Sequence, residues 1–142
     1  MPAYVVAFTV AVAVAYLITP HVKKIAIRAG AMDAPDARKV HTKPIPRMGG
    51  LAIYAGFVLA VLASMHINRE IIGLLLGSTV ILTVGIIDDL KQLPAKVKLL
   101  GQILAACVLL LFGIQIEWIT NPFGDMIYVD YLSVPLTILW VV

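Results

Sequence analysis

Residues 71–87 read IIGLLLGSTVILTVGII and contain no charged side chain. The next residues, 88–91, read DDLK, so a strongly apolar run ends on two adjacent acids. An α-helix needs roughly 17–25 apolar residues to cross the ~30 Å hydrocarbon layer of a bilayer. The run is continuously apolar, unlike the alternating pattern of a membrane β-strand. It therefore predicts a transmembrane helix, whose backbone polar groups are satisfied internally.

Similar uncharged runs lie on both sides of this one, and the last of them reaches the end of the sequence. They predict an all-α fold, a polytopic membrane helix bundle of four complete transmembrane helices and an incomplete fifth, in one domain over 1–142. The predicted spans are 2–20, 48–67, 71–87, 99–116 and 131–142. The composition agrees, because 61% of the residues are hydrophobic and 13% charged, against ~45–50% and ~25% in soluble domains. We expect the chain to be the N-terminal part of a longer protein, because the fifth run is too short to cross a bilayer.

The basic residues are distributed unevenly between the predicted loops. Of the 11 lysines and arginines, all but Arg69 lie in the segments 21–47 and 88–98. Loops rich in lysine and arginine stay in the cytoplasm. We therefore predict that these two segments are cytoplasmic and that the N-terminus is outside.

The first predicted cytoplasmic loop contains the sequence DAPDARKVHTKPIPRMGG at 33–50. Its prolines prevent a continuous helix and stiffen the chain. Arginine binds phosphate with a bidentate fork and lysine binds it as a point charge. The loop therefore suits a phosphorylated ligand at the membrane face, although a loop that only sets topology or touches anionic lipid explains the charge as well. The residues that would contact the ligand are Arg38, Lys39, His41, Lys43 and Arg47.

Asp88 and Asp89 fall at the C-terminal end of the predicted third helix. The helix macrodipole disfavours negative charge there, and two adjacent carboxylates repel each other. Unfavourable placement of this kind is expected at functional sites. Such a pair can hold Mg²⁺ together with phosphate oxygens, or one member can act as a general base. A solvated helix end with Lys91 as the partner of Asp88 is the structural alternative.

Pro94 suits the first turn of the fourth predicted helix, and Lys96 and Lys98 lie within its first turns. A helix N-terminus with a nearby lysine favours phosphate. Two cationic segments on one membrane face, with two carboxylates between them, therefore favour phosphate chemistry at the cytoplasmic surface.

The stretches DAPDARKVHTKPIPRMGGLAI at 33–53 and GIIDDLKQLPAKVKLLGQ at 85–102 together resemble a known family. It is the polyprenyl-phosphate N-acetylhexosamine-1-phosphate transferases, integral membrane enzymes of glycosyltransferase family 4. The branch that uses undecaprenyl phosphate and N-acetylglucosamine is the most similar. The resemblance implies that the lipid phosphate attacks the sugar-linked phosphorus of UDP-N-acetylglucosamine and releases UMP. This would be the first membrane step of cell-wall or surface-glycan synthesis, of the teichoic acid type, at the cytoplasmic face of a bacterial cell membrane.

The resemblance also implies roles for individual residues and a metal cofactor, Mg²⁺ or Mn²⁺. Asp88 and Asp89 match the two catalytic aspartates, and Asp88 is also assigned to the metal, whose main ligand is expected beyond Val142. Lys98 matches a lysine at the rim of the active site. In the first loop, His41 and Arg47 match family positions that we expect to contact the anionic substrates, and the charge of the loop adds Lys43 and Arg38 as expected substrate-binding residues. The expected partners are UDP-N-acetylglucosamine, undecaprenyl phosphate and the lipid bilayer, with a homodimer left open and no nucleic acid.

Two alternatives remain at this point. The related phospho-N-acetylmuramoyl-pentapeptide transferases of peptidoglycan synthesis have a shorter, threonine-containing motif before Gly49–Gly50 and a lysine three residues after the second aspartate. Here Lys91 is two residues after Asp89, which argues against that branch. The other alternative is a small transporter or membrane scaffold. A transporter would place ionisable groups near the bilayer midplane, whereas here every lysine, arginine, aspartate and glutamate lies outside the four complete spans. Because the main metal ligand is expected beyond Val142, we also expect the 142-residue chain alone to be inactive.

Overall fold

Helices make up most of the chain in a computed structural model that describes residues 3–35, 42–121 and 124–142. The helices are α1 (Ala3–Ala29), α2 (Gly49–Ser64), α3 (Arg69–Lys91), α4 (Ala95–Leu111) and α5 (Ser133–Val141), which follows a 3₁₀ turn at Asp130–Leu132. Two antiparallel strand pairs join β1 (Met32–Asp33) to β2 (Ile45–Pro46) and β3 (Trp118–Ile119) to β4 (Ile127–Tyr128). The predicted helical class is confirmed, and the two short strand pairs are features that were not predicted.

Within the described residues, two helices, α1 and α3, are long and apolar enough to cross a membrane. Helix α2 and the segment Asp130–Val141 are apolar but shorter. The predicted spans were bounded by charged residues, whereas the observed helices end where the backbone conformation changes. Helix α2 ends at Ser64 because Met65 turns to an extended conformation, and Gly113 follows the end of α4 with a φ of 87°. The structure thus agrees with a membrane protein, and the number of complete spans stays a prediction.

Helix α1 runs through Pro20 and ends in a Schellman motif. Gly30 adopts a φ of 73°, which glycine tolerates because it has no Cβ atom. The Ala31 N–H donates to the Ala26 carbonyl at 2.9 Å, and the Gly30 N–H donates to the Ile27 carbonyl at 3.3 Å. These are the two hydrogen bonds that define the motif. The turn delivers the chain into β1 and buries Ala26 against Ala31.

The chain divides into two compact units. The first contains residues 1–66 and 82–93. Its core is formed by small and medium side chains at the end of α1, at the start of α2 and in the segment between them. These buried residues are Val22, Ala26, Ala31, Met48 and Ala52, with Ile18, Leu51 and Ile86 packed against them.

The second unit contains residues 67–81 and 94–142, and two glycines govern its helix packing. A Cβ atom on Gly73 would lie 2.3 Å from the Phe112 Cβ, and one on Gly77 would lie 2.9 Å from a Leu109 methyl. Small residues four apart let membrane helices approach closely. The Arg69 guanidinium also donates to the Leu111 carbonyl at 2.8 Å, which satisfies an acceptor at the end of α4.

The close approach at Gly73 predicts a position-specific loss of stability. Gly73→Ala should destabilise the second unit by about 1–3 kcal/mol, because the new methyl group must displace Phe112. Gly85→Ala is the matched control on the same helix, because a Cβ atom there meets nothing within 4 Å. Thermal unfolding in detergent, followed by tryptophan fluorescence, measures both variants. Equal melting temperatures for the two would contradict the packing described here.

Candidate functional site

The aspartate pair lies in the last turn of α3, and Asp88 shapes the way that helix ends. Gln92 adopts a left-handed conformation with a φ of 50°, and its N–H donates to the Asp88 carbonyl at 2.8 Å. This is the αL type of helix termination, with glutamine where glycine is usual. The Asp88 side chain continues the pattern, because its Oδ1 accepts a hydrogen bond from the Leu93 N–H at 2.8 Å. One oxygen of Asp88 therefore holds the turn that leads out of α3.

Asp89 reaches a different part of the chain, the start of α2. Its Oδ2 accepts a hydrogen bond from the Met48 N–H at 2.9 Å, across 41 residues of sequence. Met48 is the buried N-cap of α2 and has a left-handed conformation, with φ 70° and ψ 14°. A left-handed non-glycine residue costs of order 1–3 kcal/mol and persists only where its surroundings hold it. The carboxylate also lies at a helix N-terminus, where negative charge is favoured.

Arg47 is the cation next to this pair. Its side chain is 29% exposed and forms an ion pair with the Asp33 carboxylate. Its backbone N–H donates to the Ala31 carbonyl at 2.8 Å, so the residue is fixed at both ends. The hydrogen bond that the Arg47 guanidinium donates to Asp33 raises the pKa of Arg47 above its ordinary value. Burial opposes the rise, and the charges of Asp33, Asp89 and Asp88 add to it. Arg47 is therefore charged at every working pH, and the three aspartates and Arg47 form one electrostatic cluster.

The structure brings together three of the predicted site residues, Asp88, Asp89 and Arg47, all in the first unit. Lys43 is exposed in the segment before β2. Lys98 is half-buried in the first turn of α4, in the second unit. His41 and Arg38, like Lys39, lie outside the described residues.

Sequence reasoning did not single out Asp33 or the Met48 N–H. Asp33 opens the proline-rich motif and is 14 residues from its partner. The pairing of β1 with β2 places Asp33 opposite Ile45 and Met32 opposite Pro46. An acid and an arginine at the two ends of one motif are the signal that points to such a pair. The role of the Met48 N–H has no comparable signal, because backbone groups carry none in a sequence.

Two aspartates offer the oxygen ligands that Mg²⁺ prefers. Within residues 3–35, 42–121 and 124–142, no group of three histidine, cysteine, aspartate or glutamate side chains is placed to hold a metal ion. Asp88 and Asp89 thus fit part of a magnesium site, and further ligands would have to be phosphate oxygens, water or other protein groups.

Two helices of membrane-spanning length among the described residues, with a cluster of aspartates and arginine at the helix ends, agree with the class of helical membrane proteins. The family model described as glycosyl transferase family 4 matches residues 71–142, which is half of the chain. The chain therefore belongs to glycosyl transferase family 4. The matched region contains both aspartates and Lys98.

Several curated proteins are similar to the chain. A probable undecaprenyl-phosphate N-acetylglucosaminyl 1-phosphate transferase of Bacillus subtilis is 43% identical over 140 residues, which cover 97% of this chain and 39% of that protein. A decaprenyl-phosphate N-acetylglucosaminephosphotransferase of Mycolicibacterium smegmatis is 36% identical over 84% of this chain and 32% of that protein. An undecaprenyl-phosphate alpha-N-acetylglucosaminyl 1-phosphate transferase of Salmonella typhi is 29% identical over 64% of this chain and 25% of that protein. The chain thus spans about two fifths of the length of the Bacillus subtilis relative. No solved structure matches it.

The contact between Asp89 and Met48 predicts different results for two substitutions. In Asp89→Asn the amide oxygen can still accept a hydrogen bond from the Met48 N–H. In Asp89→Leu the side chain has no acceptor, so this hydrogen bond no longer stabilises the left-handed conformation of Met48. Hydrogen exchange at the Met48 amide should therefore stay slow in Asp89→Asn and accelerate by at least about tenfold in Asp89→Leu, since the net value of such a hydrogen bond is roughly 1.5–3 kcal/mol. Exchange at the Leu93 amide, which pairs with Asp88, serves as the internal reference. Equal acceleration at both amides would indicate general unfolding and contradict a local anchor.

Proposed function

We propose that the protein transfers N-acetylglucosamine-1-phosphate from UDP-N-acetylglucosamine to undecaprenyl phosphate. UMP is released, and the product is the first membrane intermediate of a cell-wall or surface glycan. The observation that carries the proposal is the cluster of Asp88, Asp89 and Arg47, which lies at the end of a membrane-length helix. The resemblance of the two aspartates to the family's aspartate pair supports it. The names of the relatives support the choice of sugar and lipid.

The reaction balances as a single displacement at phosphorus. A bond forms between an oxygen of the lipid phosphate and the sugar-linked phosphorus, and the bond from that phosphorus to the bridging oxygen breaks. UMP leaves with the bridging oxygen and its electron pair. Phosphoryl transfer of this kind depends on positioning and charge neutralisation. In the proposed roles, Arg47 and Lys43 contact phosphate oxygens, as would Lys98, Arg38 and His41, while one aspartate accepts a proton or lies beside the metal.

We further propose Mg²⁺ or Mn²⁺ as the cofactor, with Asp88 as one of its ligands. When bound, the metal would neutralise charge on the diphosphate and the leaving UMP. Asp88 Oδ1 and Asp89 Oδ2 each accept a backbone N–H. The carboxylates are thereby oriented by the fold, which is how a site reduces reorganisation during the reaction.

The protein's own charges support a topology of four complete spans with the N-terminus outside and the active site on the cytoplasmic face. Segments 21–47 and 88–98 contain all the lysines and arginines except Arg69, and both belong on the cytoplasmic side. The aspartate cluster lies where these two segments meet, because Met48, which directly follows the first segment, donates its N–H to Asp89 in the second.

Cysteine labelling tests this orientation. In a Cys107→Ser background, Asp125→Cys should react with an impermeant thiol reagent in intact cells, and Thr42→Cys should react only after the membrane is opened. Thr42 and Asp125 are both exposed, so the accessibility of the side chain does not limit the result. The reverse labelling pattern would place the aspartate cluster outside the cell and contradict the proposal.

Conservative substitution tests the chemistry. In the complete gene product, Asp88→Asn and Asp89→Asn should each lower kcat by about 10²–10⁴, because an amide cannot take a proton or hold a cation as a carboxylate does. UMP release from UDP-N-acetylglucosamine with undecaprenyl phosphate measures the effect, and the melting temperature reports folding. Near-normal turnover by both variants at saturating Mg²⁺ would show that the pair is structural.

A second measurement tests the choice of nucleotide sugar. The wild-type protein is offered UDP-N-acetylmuramoyl-pentapeptide, which it should not use. A preference for the pentapeptide nucleotide would place the protein in the peptidoglycan branch.

A further inference from the structure

The register of β1 and β2 places the side chains of Asp33 and Arg47 on one face of the strand pair. Asp33 ends β1 and lies opposite Ile45 in β2. The same register continues one step beyond the strands, where the Arg47 N–H donates to the Ala31 carbonyl at 2.8 Å. Residues two apart on a strand share a face, and diagonal neighbours across an antiparallel pair are within reach of long side chains. The fold therefore brings this acid to this arginine.

The ion pair between these side chains adds order at a place where other contacts already fix the backbone. The Arg47 N–H is bonded to the Ala31 carbonyl, and the next residue, Met48, donates its N–H to Asp89. What the contact with Asp33 fixes in addition is the guanidinium, at the end of a side chain with large rotamer freedom. The pair is therefore more than the fold of this segment needs.

Three acids act on the Arg47 guanidinium, and Asp33 is the one with which it forms the ion pair. The hydrogen bond to Asp33 has the largest effect on the pKa of Arg47, which it raises, and the charges of Asp89 and Asp88 raise it further. The side chains of Arg47 and Asp33 are 29% and 20% exposed, so the pair is screened less than a fully exposed one. Without Asp33, the remaining attraction would draw Arg47 towards the two carboxylates proposed for the chemistry.

We propose that Asp33 is a positioning residue of the transfer reaction, which holds the Arg47 guanidinium beside the aspartate pair and directs it to a phosphate group of a substrate. The inference rests on the proposed function. The contact with Asp33 uses Nη2 of Arg47, and a guanidinium has five N–H donors in a rigid plane, so an arginine held at one nitrogen can still bind a phosphate oxygen. Because the arginine is oriented before the substrate arrives, binding costs less side-chain freedom. The phosphate belongs to the lipid or to the nucleotide sugar.

Asp33→Asn tests the assignment, because it removes the charge and keeps the size of the side chain. In the complete gene product it should lower kcat/KM by at least about tenfold, the value of one charge-assisted hydrogen bond. Whichever KM rises, that for undecaprenyl phosphate or that for UDP-N-acetylglucosamine, identifies the phosphate that Arg47 contacts. Asp33→Glu restores the charge and should recover most of the loss. Asp125→Asn removes the same charge at an exposed position of the second unit and should stay within about twofold of wild type.

A double-mutant cycle shows whether Asp33 acts through Arg47. The variants are Asp33→Asn, Arg47→Ala and the combination of the two. The combined variant should match Arg47→Ala within about twofold in kcat/KM, because Asp33 then has no guanidinium left to position. Effects that multiply in the combined variant would mean that Asp33 acts independently of Arg47, and they would overturn the proposal.

Hydrogen exchange at the Arg47 amide separates a positioning role from a role in folding. The bond from this amide to the Ala31 carbonyl does not involve the Asp33 side chain, so its exchange and the melting temperature should be unchanged in Asp33→Asn. A loss of activity accompanied by faster exchange at this amide would assign Asp33 to the fold and contradict the proposal.

Direct binding distinguishes failure of this inference from failure of the proposed function. The Kd values for undecaprenyl phosphate and for UDP-N-acetylglucosamine are measured in nanodiscs for the wild type, Asp33→Asn and Arg47→Ala. If both variants bind one of these ligands at least about tenfold more weakly than wild type but the wild type releases no UMP, the proposed function is wrong and the positioning role stands. If wild-type turnover is normal and Asp33→Asn matches Asp125→Asn in every constant, the positioning role is wrong and the proposed function stands.

Discussion

The hydrogen bond from the Met48 N–H to the Asp89 carboxylate is the constraint on which the first unit depends. It ties the last turn of α3 to the start of α2 across 41 residues, and it fixes a left-handed residue inside the core. The core in turn positions Arg47, the neighbour of Met48, beside Asp33. An acid that looks misplaced at the end of α3 is thereby well placed at the beginning of α2, where the helix macrodipole favours it.

The structure and the proposed chemistry therefore use the same two residues. Asp88 and Asp89 each have two carboxylate oxygens, and in each residue one of them accepts a backbone N–H. An isosteric amide keeps that acceptor and loses the charge. Only such a replacement can separate the two roles, because an apolar residue removes both and leaves a buried donor without its partner.

The sequence predicted what local pattern can determine, and it missed what depends on distant partners. The run at 71–87 and the acids after it located α3 and its end, because composition and charge mark such a helix directly. Helix α1 extends beyond the predicted span 2–20, which ends at Pro20 with the uncharged run, because the helix continues to the glycine that adopts a positive φ. The ion pair of Asp33 with Arg47 depends on β1 meeting β2, and two-residue strands have no periodicity that a sequence could reveal.

Chemistry in a membrane protein belongs where helices meet water, because lipid satisfies neither charges nor free backbone groups. In the first unit that place is made by the end of α1, the start of α2 and the end of α3. Each is secured by a polar contact of its own: the Schellman bonds at Gly30, the Met48 N–H on Asp89, and the Leu93 N–H on Asp88. Helix ends always leave such groups unpaired. Here the side chains that pair with two of them are the acids proposed for catalysis, so precise closure of the helix ends also sets the geometry of the site.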